Sequence, residues 1–240
     1  MRPCLTRPCL TGRVSTAVST RQFPSGHDKH NEENLAYKLI AFDFDGTLAD
    51  SLACFLLALS ESARQHGFRA IDGALLPQVR GMSAHEIVKL LGVPPWKVPL
   101  IAADMRRRMH ARASDVRLFA GIDATLRALA QRGTRIAIAT SNSEAVVRAI
   151  AGPATCAHIR HFSCGISLFG KARRLRALAH ASGFACADVL YVGDEVRDAQ
   201  AADRAGIAFR GVAWGYTAPD ALQAHCRMPL IERPEELLAL

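Results

Sequence analysis

The sequence predicts an α/β protein in which a parallel sheet with helices on both faces is joined to a small all-helical segment. Two observations support this prediction. After residue 116, short apolar runs alternate with helical patterns of roughly ten residues, as in strand–helix–strand units. Residues 51–116 show helical periodicity and no convincing strand. We therefore assign residues 36–50 and 117–240 to the α/β core and residues 51–116 to a helical insert after the first strand.

The segment before the first strand, residues 1–35, differs from the rest of the chain. It is rich in Arg, Ser, Thr and Pro and lacks sustained apolar periodicity, which predicts a disordered N-terminal extension. The alternatives are an organelle transit peptide, which would also be poor in acidic residues, and a start codon placed too early.

The predicted elements follow in order along the chain. "YKLIAF" reads as a buried strand, and apolar residues at helical spacing from Leu52 to Ala63 predict a helix that ends at Gly67. Further helical patterns cover about 84–92 and 97–112. The core then alternates the helices "GIDATLRALAQRG", "SEAVVRAI", "KARRLRALAHASG" and "EVRDAQAADRAG" with the strands "RIAIATS", "HIRHF" and "VLYVGD". "IAFRGVAWGY" comes next, and "PEELLAL" predicts a last helix with Pro near its start.

Composition excludes several classes of protein. No run approaches the roughly 18 apolar residues of a membrane span, so we expect a soluble protein with no membrane partner. The net charge of +8 is spread along the chain, which has only 3 Tyr and 2 Trp, so we expect no nucleic-acid partner. The 7 cysteines are scattered without a C-x-x-C pair, which argues against disulfides or a zinc site and favours a cytoplasmic location.

Polar residues follow four apolar runs or begin the next helix, where parallel folds bind their ligands. They are Asp43 and Asp45; Thr140, Ser141 and Asn142; Lys171; and Asp194 and Asp198. Each signal alone has an ordinary interpretation as an Asp-Gly turn, a helix cap or a solvated lysine. Together, and in this order, they form a specific set.

This set resembles the haloacid dehalogenase superfamily of aspartate-nucleophile phosphotransferases. "DFDGT" matches the first motif, Asp-x-Asp-x-Thr, and Thr140 matches the Thr or Ser that ends the second strand. Lys171 matches the third motif, and "GDEVRD" matches the fourth, Gly-Asp-x-x-x-Asp. The resemblance covers residues 36–240 and implies a Rossmann-like core.

The resemblance implies a phosphatase with an aspartyl-phosphate intermediate. Asp43 would attack phosphorus, and Asp45 would protonate the leaving alkoxide and later deprotonate water. Lys171 would offset negative charge on Asp43 and on the transferred group. True haloacid dehalogenases lack an acid at the position of Asp45, so its presence favours phosphate chemistry over dehalogenation.

The same resemblance implies the groups that would bind phosphate. Thr140, Ser141 and Asn142 would bind phosphoryl oxygens from the end of the second strand. Gly46 would let the loop backbone approach the phosphate, and its amide and those around Phe44 would cradle the oxygens.

The resemblance also implies a Mg²⁺ cofactor. A carboxylate that attacks an anionic phosphate needs a cation between the two, and Mg²⁺ prefers oxygen ligands. Asp43 and Asp194 would supply carboxylates, and Asp45 its backbone carbonyl. Asp198 would act as a ligand or from just behind the ligands.

The helical insert lies where this family carries a cap over its active site, and it resembles that of phosphoglycolate phosphatase-like members. A small phosphorylated metabolite such as 2-phosphoglycolate is therefore the expected partner, with Arg80 in "VRGMSAHE" as a candidate substrate contact. A phosphosugar mutase, a pyrophosphatase and a non-catalytic binding module on the same core remain alternatives. The sequence leaves the oligomeric state open.

Overall fold

The structure of the protein is a computed structural model that describes residues 37–166 and 170–240. The extension predicted at residues 1–35 lies outside these described residues. Within them, no helix combines the length and the apolar character that crossing a membrane requires.

A five-stranded parallel sheet forms the centre of the described residues. The strands of the protein, in chain order, are β1 Leu39–Phe42, β2 Ala49–Asp50, β3 Arg117–Leu118, β4 Arg135–Ala139, β5 Ile159–Ser163, β6 Val189–Gly193 and β7 Ala208–Gly211. The order across the sheet is β5-β4-β1-β6-β7. β1 is central, because Phe42 pairs with Ile138 of β4 on one side and Val192 of β6 on the other.

The α-helices of the described residues are α1 Leu52–His66, α2 Leu76–Val79, α3 Ala84–Leu90, α4 Val98–Ala111, α5 Ile122–Gln131, α6 Glu144–Cys156, α7 Lys171–Ala181, α8 Val196–Ala205 and α9 Pro219–Gln223. Helices α5 and α6 pack on one face of the sheet, and α7 and α8 pack on the other. Side chains alternate along β1, so that Ile40 and Phe42 join one apolar cluster while Leu39 and Ala41 join the other. All four β1 residues are buried. The predicted fold class, a parallel sheet with helices on both faces, is confirmed.

Along the chain, helices α1–α4 come after β1 and before β4, the next strand of the main sheet. They have an apolar cluster of their own. α1 ends at Gly67 as predicted, because Gly67 adopts the left-handed conformation that terminates a helix. Ser83 and Glu86 cap the start of α3 reciprocally. The strands that flank this segment, β2 and β3, pair with each other in antiparallel fashion.

The structure adds or changes several elements. The short pair β2–β3 and the short helices α2 and α9 were not predicted. α6 extends past the predicted "SEAVVRAI" to Cys156, across a kink at Gly152, which is not helical. The predicted C-terminal helix is wrong in type, because Pro234–Ala239 forms a 3₁₀-helix. Other 3₁₀ turns are Pro95–Lys97, Ala113–Asp115 and Cys186–Asp188.

Candidate active site

The candidate site lies at the carboxyl ends of three adjacent strands. Asp43 directly follows β1, Thr140 follows β4 and Asp194 follows β6. Because β1 pairs with both β4 and β6, the sheet brings these three positions together although they are far apart in the chain. Open parallel sheets bind ligands at this edge.

Three carboxylates gather at this edge. Asp43, Asp194 and Asp198 are all buried, and each offers an oxygen within 4.8 Å of the others. Lys171, at the start of α7, donates from Nζ to Asp43 Oδ2 at 2.8 Å and also to Asp198 Oδ1. The backbone N–H of Phe44 donates to Asp43 Oδ1 at 2.8 Å. Both oxygens of Asp43 are therefore held in a fixed orientation.

Burial dominates the electrostatics of this group, and the neighbouring carboxylates reinforce its effect. Burial raises the pKa of Asp43 to about 7, with Lys171 opposing and Asp198 reinforcing the shift. Burial, together with Glu195 and the other carboxylates, raises the pKa of Asp194 well above its ordinary value. Burial opposes the charge of Lys171, but its attraction to Asp198 and Asp43 outweighs burial and raises its pKa.

Asp45 has a separate environment, away from the three-carboxylate group. Its Oδ1 accepts a hydrogen bond from Ser51 Oγ at 2.8 Å, and its Oδ2 accepts one from Asn142 Nδ2 at 2.7 Å. Ser51 Oγ also lies 2.8 Å from the hydroxyl of Tyr216. Burial raises the pKa of Asp45, while the hydrogen bond from Ser51 opposes the shift. A carboxyl with a raised pKa keeps its proton to higher pH, as a general acid must.

Asp194 is fixed by close backbone packing. It accepts hydrogen bonds from Thr47 Oγ1 and from the Tyr216 N–H, both at 2.7 Å. A Cβ at Gly46, where φ is 73°, would lie 2.3 Å from Asp194 Oδ2. A Cβ at Gly215 would lie 2.1 Å from Asp194 Cβ. Both positions thus require glycine so that the backbone can approach this carboxylate.

The donor set fits a hard divalent cation. Buried carboxylates with raised pKa values repel one another, and a divalent cation bound by their oxygens would relieve that repulsion. Lys171 is the only lysine bonded to this group among the described residues, and one ammonium does not neutralise three carboxylates. The carboxylate of Asp45 lies outside the group, so Asp45 could contribute only a backbone oxygen.

The remaining residues predicted for phosphate binding are placed as follows. Thr140 is buried, and its Oγ1 accepts a hydrogen bond from the Asn142 N–H at 3.2 Å. The Gly46 N–H donates to the Ala49 carbonyl at 2.9 Å. The Gly46 amide, which the sequence analysis assigned to phosphate binding, is therefore already engaged. The close packing on Asp194 explains why glycine occupies this position. Ser141 is half-buried and lines a cavity beside Asp45.

Arg80, the predicted substrate contact in the helical segment, also lines this cavity. Its Nε donates to the Tyr216 carbonyl at 3.0 Å, and its Nη2 donates to the Gly215 carbonyl at 2.8 Å. In return, the Ala218 N–H donates to the Arg80 carbonyl at 2.8 Å. Arg80 therefore joins the helical segment to the loop that packs on Asp194.

Several site residues were missed by the sequence analysis. Ser51 and Thr47 lie in "DFDGTLADS", and Tyr216 lies in "GVAWGYTAPDAL". Of these three residues, only Thr47 belongs to a family motif, Asp-x-Asp-x-Thr. Arg197, in "GDEVRD", donates to Glu195 Oε1 at 2.5 Å. Its Nε is buried without a hydrogen-bond partner among the described residues. Attraction to Glu195, reinforced by Asp198 and opposed by burial, raises the pKa of Arg197.

Comparison with known proteins gives consistent results. A family model for haloacid dehalogenase-like hydrolases matches residues 40–212. A phosphoglycolate phosphatase from Synechococcus elongatus is 32% identical over 83% of this chain and 94% of its own length. A 5'-nucleotidase from Pseudomonas aeruginosa is 30% identical over 80% of this chain and 89% of its own length. A haloacid dehalogenase-like family hydrolase from Streptococcus pneumoniae matches in structure with a TM-score of 0.70 at 19% identity, covering 85% of this chain and 98% of that one.

Proposed function

The chain belongs to the haloacid dehalogenase-like hydrolases and is a phosphatase of their phosphoglycolate phosphatase-like branch, and from that premise we propose that it hydrolyses a small phosphate monoester through an aspartyl-phosphate on Asp43. One observation carries the proposal. Asp43 is oriented by Lys171 within a group of three carboxylates, while Asp45 is held outside that group with a raised pKa. The two acids are thus equipped for different tasks.

Asp43 is the nucleophile. One of its carboxylate oxygens forms a bond to phosphorus, and the bond between phosphorus and the ester oxygen breaks. Lys171, bonded to Asp43 Oδ2 at 2.8 Å, keeps the carboxylate oriented and offsets the charge that accumulates between it and the phosphate. Thr140, Ser141 and Asn142, at the end of β4, bind the phosphoryl oxygens.

Asp45 moves the proton in both halves of the reaction. In its neutral form it donates a proton to the leaving alkoxide, which departs as an alcohol. As a carboxylate it then takes a proton from water, and that water attacks the phosphorus of the aspartyl-phosphate. Inorganic phosphate leaves and Asp43 is regenerated. Ser51 and Asn142 hold the carboxyl group of Asp45 in one orientation throughout.

Asp43 and Asp194 would hold Mg²⁺, with Asp198 bound to it or placed just behind, and with the backbone carbonyl of Asp45. The bound cation would neutralise negative charge on the phosphate and on the carboxylates. Lys171 would hold Asp198 and Asp43 in position around it. Thr47 and the Tyr216 N–H orient Asp194 in the same way.

Residues 51–116 form the cap of the active site in this proposal, with the core at residues 36–50 and 117–240. The four helices of the segment have their own apolar cluster, and Arg80 and the loop at 215–218 form hydrogen bonds to each other. A cap in this position excludes water from the aspartyl-phosphate and contacts the leaving group.

A panel of phosphorylated compounds tests the proposal. Phosphate release is measured with and without Mg²⁺ from 2-phosphoglycolate, sugar phosphates, nucleotides and pyrophosphate, with Asp43→Asn as the blank. We expect release that requires Mg²⁺ and Asp43. The exposed Asp50, substituted by Asn, is the matched control and should retain wild-type rates.

Three results would contradict the proposal. Conversion of a sugar phosphate to an isomer without phosphate release would indicate a mutase. Release from pyrophosphate alone would indicate a pyrophosphatase. An Asp43→Asn protein that matches the wild-type rate would exclude the covalent mechanism.

A further inference from the structure

A cavity lies against the helical segment and reaches the core residues around Asp45. Its volume is about 340 Å³, within the range of roughly 300–1,000 Å³ typical of ligand pockets. Asp45, Ser141, Asn142 and Tyr216 form part of its wall on the core side. The cavity is therefore continuous with the position at which the leaving group receives its proton.

The wall contributed by residues 51–116 is apolar. Among the described residues that line the cavity, those from this segment are all Leu, Ile, Val, Phe, Met or Ala, apart from Arg80 and Arg106. Phe55, Phe68 and Ile71 in this wall are only half-buried. They also pack against the apolar cluster of the segment, so each combines a structural contact with accessible apolar area that a ligand can cover.

The cavity is too large for a packing defect. Protein interiors are close-packed and contain few voids larger than a water molecule. An apolar cavity of roughly 150 Å³ already accepts a benzene ring. The helical segment can therefore hold a substantial apolar group.

The charged residues of the wall are largely engaged with other protein groups. Arg80 donates to the carbonyls of Gly215 and Tyr216, and Arg197 is paired with Glu195. Arg106 is exposed and lines a second, smaller cavity as well. Apart from Arg197 Nε, which has no partner among the described residues, an anionic leaving group would thus depend on Arg106, whereas an apolar one would contact most of the wall.

We propose that the phosphate ester carries an apolar leaving group, aliphatic or aromatic, which occupies this cavity while its ester oxygen lies beside Asp45. This inference rests on the proposed function and defines its substrate class. Phe55 supports it, because its ring packs against Tyr216 with centroids 5.4 Å apart. The Tyr216 hydroxyl is hydrogen-bonded to Ser51, which donates to Asp45. Phe55 of the apolar wall is therefore linked to the proton donor through Tyr216 and Ser51.

Monoalkyl phosphates of increasing chain length test the inference. Their leaving alcohols differ little in acidity, so reactivity stays nearly constant while apolar area grows. We expect kcat/KM to rise roughly fourfold for each methylene that enters the cavity, until the cavity is full. Hexyl phosphate should then exceed 2-phosphoglycolate in kcat/KM.

A matched pair of variants locates the effect. Ala102 lines the cavity, and its neighbour on α4, Ala103, is exposed and does not line it. Ala102→Leu should lower the ratio of kcat/KM for hexyl to methyl phosphate roughly tenfold by filling the cavity. Ala103→Leu should leave this ratio unchanged.

Alkylphosphonates, which cannot be hydrolysed, separate this inference from the proposed function. In the presence of Mg²⁺ their Kd, measured by calorimetry, should fall with chain length in the wild type and less in Ala102→Leu. A Kd and a kcat/KM that do not depend on chain length, with hydrolysis of short esters or of 2-phosphoglycolate intact, would overturn the inference alone. Absence of hydrolysis for every ester would overturn the proposed function, while chain-length-dependent phosphonate binding would still support the apolar site.

Discussion

The carboxyl edge of the sheet and the cavity wall of the helical segment, residues 51–116, differ in polarity. At the edge, Asp43, Asp45, Asp194 and Asp198 each accept hydrogen bonds from named partners. The cavity wall in the helical segment is apolar apart from two arginines. Charge pairs of the segment lie away from this wall: Arg108 bridges Asp104 and Glu61, and none of these three lines the cavity.

This difference assigns catalysis to the carboxyl edge and substrate selection to the cavity wall. Buried polar groups must be fully satisfied, so the edge tolerates little variation in its residues. An apolar wall needs only the right volume and shape, and many combinations of aliphatic side chains provide that. Substitutions at the edge should therefore change the rate for every ester alike, and substitutions in the wall should change the preference among esters.

The largest effect predicted for the edge, after loss of the nucleophile, is that of Asp45→Asn. The amide cannot donate or accept the proton, so turnover should fall by roughly 10²–10⁴-fold for all esters. The variant should also accumulate phosphate on Asp43, detectable by mass spectrometry, because hydrolysis of the intermediate needs the base. Asp50→Asn, at an exposed position nearby, should show neither change. Unequal losses among esters would contradict the expectation that substitutions at the edge affect every ester alike.

Gly46→Ala should act on metal binding. Its Cβ would lie 2.3 Å from Asp194 Oδ2, so this carboxylate must move, and the Mg²⁺ concentration for half-maximal rate should rise roughly 10–100-fold. Gly67→Ala is the matched control, because Gly67 has a similar φ of 71° but nothing within 4 Å of the added Cβ. Both variants carry the same backbone strain. An equal Mg²⁺ requirement in the two would show that strain, and not contact with Asp194, causes the effect.

The sequence predicted the edge better than the wall, for a physical reason. Asp43, Thr140 and Asp194 each follow a strand directly, and parallel strands bring their ends together, so local patterns were sufficient. The contact of Tyr216 with Ser51 joins residues 165 positions apart, and no local pattern encodes it. The cavity was not predicted, because periodicity marks which residues of α1 and α4 are apolar but not how far apart the helices pack.

Ser51→Ala should have a smaller effect, on both rate and pH dependence. Burial raises the pKa of Asp45 and the Ser51 hydrogen bond lowers it, so removal of this donor should raise the pKa further. Because Asp45 must be protonated to act as an acid, the alkaline limb of the kcat/KM profile should move to higher pH. The maximal rate should fall roughly tenfold. The exposed Ser114, changed to Ala, is the control, and a limb shifted to lower pH would contradict the assignment of Asp45 as the acid.

The smallest effect concerns Arg80, where the two regions meet. Lysine keeps the charge but cannot reproduce the planar pair of bonds to the carbonyls of Gly215 and Tyr216. If Arg80 only joins the helical segment to the loop at 215–218, Arg80→Lys should lower kcat/KM roughly two- to tenfold for every ester. Arg64→Lys, at an exposed position on α1, should change nothing.

The same variant distinguishes a joining role from substrate recognition. If Arg80 instead binds a carboxylate of the substrate, Arg80→Lys should impair 2-phosphoglycolate far more than an alkyl phosphate. That result would place charge recognition in the helical segment and remove the contrast between an apolar wall and a polar edge. Equal losses for both esters would support this contrast. Arg80 is engaged by two backbone carbonyls, so it would position the apolar wall without contacting the substrate.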